Sequence, residues 1–136
     1  MMLEILAGVF FLLAGVCMGV MDTLQHHFSV SIFRNRGNFW NPKESWRNKY
    51  RNGEKEQGPK FPFSTTALVF LTDAWHFFQF LMLSCLRTAL ALLAASKWPL
   101  EWFYWVGVWV LLIPVFSGGF HLTYSWLLVI NKKSKI

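Results

Sequence analysis

Three long apolar stretches dominate the chain, and each is long enough to cross the hydrocarbon core of a bilayer. A chain that places most of its backbone in lipid must satisfy every peptide group internally, which leaves helices or a closed barrel. Runs of this length, without strict alternation of polar and apolar residues, are helical runs. The expected fold class is therefore an all-α integral membrane protein. The composition agrees, with 54% hydrophobic residues, eight Trp and fourteen Phe, and only 15% charged residues against about 25% in soluble domains. Disorder is excluded by this apolar content, and a disulfide scaffold by the presence of only Cys17 and Cys85.

The first stretch, Leu3 to Met21, is broken only by Glu4. It lacks a basic leading region and a small-residue cleavage site, so it is expected to stay in the mature protein. In Leu13-Ala14-Gly15-Val16-Cys17, Val16 stands where a lipid-anchor signal needs a small residue, and no anchor is expected. The second stretch follows Pro59 and Pro62, with Ser64 or Thr65 as the expected N-cap, and runs to Ser96. The third runs from Trp98-Pro99 to Ile130, with Pro114 and Gly118-Gly119 predicting a kink.

Charge placement fixes the expected topology. Eleven of the thirteen Lys and Arg residues fall either in 34–64 or in the tail, at Lys132, Lys133 and Lys135. Basic residues collect on the cytoplasmic side of short connections. Three spans put both basic segments on one face, whereas four would send the tail outside. The expectation is a single transmembrane domain of three long helices, at about 3–33, 64–96 and 99–131. Its N-terminus is outside, its C-terminus cytoplasmic, and 34–63 forms a basic cytoplasmic loop. A bacterial cytoplasmic membrane is the expected location.

That loop interleaves aromatics with cations. Trp40, Trp46, Arg47, Lys49, Tyr50 and Arg51 are expected to contact anionic lipid headgroups, so that membrane lipids, rather than nucleic acid, account for the net charge of +6. A homo-oligomer is the other partner this class of fold suggests.

The interior polar residues carry the functional reading. On a helical period, Gly8, Leu12, Gly15, Gly19, Asp22 and His26 share one stripe, whose small residues would admit a neighbouring helix. The second stretch gives Val69, Asp73, His76, Phe80, Leu83 and Arg87, and the third gives Gly107, Leu111, Pro114, Gly118, His121 and Ser125. Each stripe holds a histidine, and counting from the cytoplasmic ends puts Asp22, His26, Asp73, His76 and His121 roughly 12–18 Å deep in one layer of the inner leaflet. An Asp at such depth costs on the order of 2.5–3.5 kcal/mol, which marks the layer as a candidate site. His26, His76 and His121 are the expected ligands of zinc or another divalent ion. Asp22 and Asp73 would then serve as catalytic base or fourth ligand, with Gln79, Ser117, Tyr124 and Ser125 orienting them. Metal-bound water points to hydrolysis of a lipid amide, ester or phosphoester.

In composition this layer resembles that of the seven-span ceramidase and adiponectin-receptor-like membrane hydrolases, though no motif of theirs occurs at its own spacing. The alternative is a membrane protein without catalysis. It would be a proton or cation relay, or an accessory pore-forming subunit, since three spans with an outer N-terminus and a basic tail resemble phage holins in outline. Arg87 is read as snorkelling to the outer interface or pairing with Glu4 or Glu101. No Walker motif, paired CxxC or serine nucleophile elbow is present in the sequence.

Overall fold

A computed structural model describes the chain path of residues 1–98 and 101–121, and the side chains of 1–98 and 101–118. All regular structure among the described residues is helical: α1 (Met2–His26), α2 (Ala74–Lys97) and α3 (Trp102–His121), with short 3-10 turns between α1 and α2. α1 and α2 are long and apolar enough to cross a membrane, while α3 contributes a shorter apolar segment, Trp102–Gly118. At about 1.5 Å per residue, the 25 and 24 residues of α1 and α2 extend past the ~30 Å hydrocarbon core.

α1 and α2 run antiparallel. Glu4 and Lys97 meet at 3.3 Å at one end, and Leu24 and His76 line the same cavity at the other. The face that α1 buries is Ala7, Ala14, Cys17, Met21 and Leu24, a stripe with spacings of 7, 3, 4 and 3. Small side chains at Ala7, Ala14 and, on α2, Ala89 keep the two helices close. This corrects the expected seam. Gly8, Leu12, Gly15, Gly19, Asp22 and His26 all lie on the exposed side of α1, and a Cβ built at any of the three glycines would meet nothing within 4 Å. α3 packs on α2 through Trp105, Trp109 and Leu112 rather than through Gly107, Leu111 and Gly118, which are exposed. The helix continues through Pro114.

The helix ends also differ from the expected bounds. α1 stops at His26 and not at 33, because Ser31 turns the chain: its hydroxyl donates to the Phe28 carbonyl and accepts from the Phe33 N–H. α2 starts at Ala74 and not at 64. Side-chain to backbone bonds hold residues 64–72 off the helical path. Ser64 Oγ donates to the Lys49 carbonyl at 2.7 Å, Thr72 Oγ1 to the Val69 carbonyl at 2.7 Å, and Asn48 Nδ2 to the Thr72 carbonyl at 3.0 Å. The segment folds back along α2, where Phe70 stacks on Phe80 with ring centroids 4.3 Å apart.

Residues 27–73 thus form an ordered cap over one end of the helix pair. A small hairpin closes it, with Tyr50 bridged to Pro59 and the Lys60 N–H bonded to the Lys49 carbonyl. Aromatic contacts tie it to α2: Trp40, on which Phe33 stacks at 4.7 Å, lies against Phe78, and Phe39 lies against Phe77. Of the expected headgroup residues, Trp40 is spent on this packing. Trp46, Arg47 and Arg51 remain exposed, Lys49 and Tyr50 are half-buried, and Arg47 lies 5.5 Å from the Trp46 ring centroid.

Candidate functional site at the capped end of the helix pair

The site is built around the start of α2. Asp73 adopts extended backbone angles and is the N-cap; its Oδ1 accepts the His76 N–H at 2.9 Å. Its Oδ2 lies 2.7 Å from His76 Nδ1. An ionised carboxylate can only accept, so Nδ1 carries a proton, and in the neutral form of the ring Nε2 is the free acceptor. Asp73 is 4% exposed, and it remains ionised at neutral pH because its partners are in place. Burial pushes its carboxyl up, but the His76 ring, the His76 N–H, the charge on His76 and that of Lys49 together hold it below the ordinary aspartate value.

The cap fixes this geometry from the other side. The Ala74 N–H, which no helical carbonyl could reach, donates to the Phe39 carbonyl at 2.9 Å. Asn48 holds the Thr72 carbonyl, so the residue before Asp73 is anchored to the same stretch that carries Lys49. His76 is oriented further by Trp75, whose ring meets it edge to face at 5.1 Å.

Between cap and helices lies a cavity of about 390 Å³. Its polar wall is Asp73, His76, Lys49, Ser45 and Gln25, and its apolar wall includes Trp40, Trp46, Trp75 and Leu24. This volume falls in the range of ordinary ligand pockets, which bury an apolar body and orient it by a few polar groups. An aspartate-oriented imidazole with a free Nε2 can accept a proton from water or bind a metal ion. A lysine beside it can balance negative charge on a bound or reacting group.

The structure brings together two of the five ionisable residues of the expected layer. Asp73 and His76 form one dyad, whereas Asp22 and His26 lie exposed on the far side of the last turns of α1. Among the described residues, no three His, Cys, Asp or Glu side chains are placed to hold a metal ion. His121 is the last residue of α3, and its side chain lies outside the described residues, as do Tyr124 and Ser125. Gln79 and Ser117 are half-buried on α2 and α3 and do not line the cavity.

Sequence reasoning missed Ser45, Asn48, Thr72 and Trp75. The signal for the helix start was available in Thr72-Asp73-Ala74-Trp75-His76, an N-cap aspartate followed three residues later by a side chain able to reach back. No feature of the sequence announces that Asn48 reaches 24 residues ahead to Thr72. No protein-family model, no curated protein and no solved structure matches the chain.

Proposed function

We propose that the chain is an integral membrane protein that hydrolyses an ester, amide or phosphoester of a lipid, using the Asp73–His76 dyad at the membrane–water boundary. The observation that carries this reading is the 2.7 Å pair itself, set in a cavity walled by Trp40, Trp46 and Trp75. Exposed apolar residues of the cap, Val30, Ile32, Phe63 and Leu71, suit a surface seated in the headgroup region. The basic residues of the cap and of the tail sequence support a cytoplasmic side for this end, in the proposed bacterial cytoplasmic membrane.

In this mechanism the lipid linkage enters beside His76. His76 Nε2 takes a proton from water as the water oxygen bonds to the carbonyl carbon or phosphorus. Asp73 stabilises the imidazolium, and Lys49 faces the charge that develops on the oxygen. The imidazolium then returns its proton to the departing alcohol or amine, and the bond to the leaving group breaks.

A divalent metal such as zinc is the second reading, and one observation favours it. Trp109 Nε1 donates to Thr88 Oγ1 at 3.2 Å, and from this contact His121 and His76 each lie twelve residues on (121 − 109 and 88 − 76) along antiparallel helices. The two histidines therefore share a level. His76 with Asp73 alone does not make a zinc site, which takes four ligands, so the reading needs His121.

The test is release of product from labelled membrane phospholipids by detergent-solubilised full-length protein. His76→Ala is expected to lower the rate by about 10²–10⁴, the usual contribution of a general base. Release that is absent, or equal in His76→Ala, overturns the hydrolase reading. Bound metal lost on His121→Ala would favour the second. Reporter fusions at residue 50 and at the C-terminus are both expected to report cytoplasm.

A further inference from the structure

Arg87 lies thirteen residues from the first residue of α2 and ten from its last (87 − 74 and 97 − 87), about 20 and 15 Å along the axis. An arginine at this depth is costly and marks a site with a partner to be named. Part of its guanidinium is accounted for. Nη2 donates to Ser84 Oγ at 3.3 Å, and Cζ lies 4.5 Å from the Trp109 ring centroid. Nε is buried with no hydrogen-bond partner among the described residues.

Its direction matters as much as its depth. Ser84 is one turn toward the start of α2, so the guanidinium turns away from the nearer helix end at Lys97. That is the reverse of snorkelling to the outer interface. The expected partner Glu4 is engaged elsewhere, with Lys97 at 3.3 Å and the terminal amine at 3.2 Å, and among the described residues no carboxylate pairs with Arg87.

Beside the guanidinium, a groove of about 250 Å³ runs between α2 and α3. Leu83, Leu86, Leu90, Leu112, Val115 and Phe116 line it, and among the described residues Arg87 is its one polar wall. The volume lies below that of ordinary ligand pockets, room for one chain rather than two.

We propose that this groove binds a long-chain fatty acid, its chain along the leucines and its carboxylate on Arg87. A neutral acyl tail would leave the buried Nε–H without an acceptor. A phosphate head keeps its charge at every accessible pH and stays at the surface, whereas a carboxyl is the smaller anion and sheds its charge on protonation, so it reaches this depth at least cost. The inference rests on α2 being a membrane span and not on the hydrolase reading.

The experiment uses the full chain in detergent micelles, photolabelled with diazirine-bearing palmitate and mapped by mass spectrometry. Label is expected within 83–90 and 112–116, displaced by oleate and not by methyl oleate. Arg87→Gln is expected to reduce it at least tenfold. Leu112→Trp, which fills the groove and keeps the charge, is expected to do the same. Should a variant lose helical circular dichroism, the competition on unaltered protein still decides. Equal displacement by methyl oleate, equal labelling of Arg87→Gln, or label spread over the exposed faces of all three helices overturns the proposal. Oleoyl lysophosphatidate displacing the label better than oleate overturns the carboxylate assignment.

Discussion

Asp73 and Arg87 stand on the same helix fourteen residues apart (87 − 73), and the protein treats their charges in opposite ways. Around Asp73 every neighbour contributes. A ring N–H, a backbone N–H and the Lys49 charge converge on a carboxylate that burial alone would neutralise. Around Arg87 the described residues supply less, one serine and one indole face, and leave Nε unmatched. A charge whose partners come from the chain supports the fold, because removing it strands those partners. A charge only partly matched draws stability from the fold.

The largest effect should come from Asp73→Ala. It removes a helix cap and strands the His76 N–H, and a loss of about 2–4 kcal/mol is expected for reversible unfolding in mixed micelles. Asp73→Asn, which keeps one acceptor for the backbone, should cost about half of that. Asn48→Ala leaves the buried Thr72 carbonyl unpaired and should cost about 1–2 kcal/mol. Arg87→Met should go the other way and stabilise by about 1 kcal/mol, since the desolvation it removes exceeds the cation–π contact it gives up. A destabilisation by Arg87→Met as large as that of Asp73→Ala would break the contrast. A smaller gain is expected at Phe63, an aromatic residue at φ 63° with 65% of its surface exposed. Phe63→Gly removes that strain and should stabilise by roughly 0.5–1 kcal/mol, measured the same way.

The pH dependence sharpens the same comparison. The Asp73 carboxyl is held below its ordinary value in the folded protein, so its contribution is complete above about pH 4 and disappears as pH falls through the lowered folded value. Stability of the unaltered protein should fall in that acid range more steeply than that of Asp73→Asn. Equal slopes would mean the carboxylate is not matched as the geometry implies.

The apolar helices could be read from composition and run length, because a helix apolar enough to cross a bilayer shows itself in any window of about 20 residues. Their faces could not. In α1 the stripe from Ala7 to Leu24 and the stripe from Gly8 to His26 satisfy the helical period equally well, and only the partner helix chooses between them. Glycines and ionisable residues drew the sequence argument to the wrong one. The start of α2 was misplaced for a related reason. Ser64 and Thr65 are sound N-caps locally, but Ser64 binds Lys49 instead, fifteen residues back, and no local pattern encodes that. Asp73 and His76 were recognised as a pair from their spacing. Their setting depends on contacts from the cap, which distant stretches of chain create only together.

The bond between the Phe39 carbonyl and the Ala74 N–H has a consequence for biosynthesis. Phe39 leaves the ribosome thirty-five residues before Ala74 (74 − 39), about 2–7 s at 5–20 residues per second. For that interval α1 lacks α2, its Ala-Cys-Met face is open, and the aromatic residues of the cap have no α2 rings to pack on. Only once Trp75 to Phe80 emerge are all the contacts of the cap, the helix start and the cavity available.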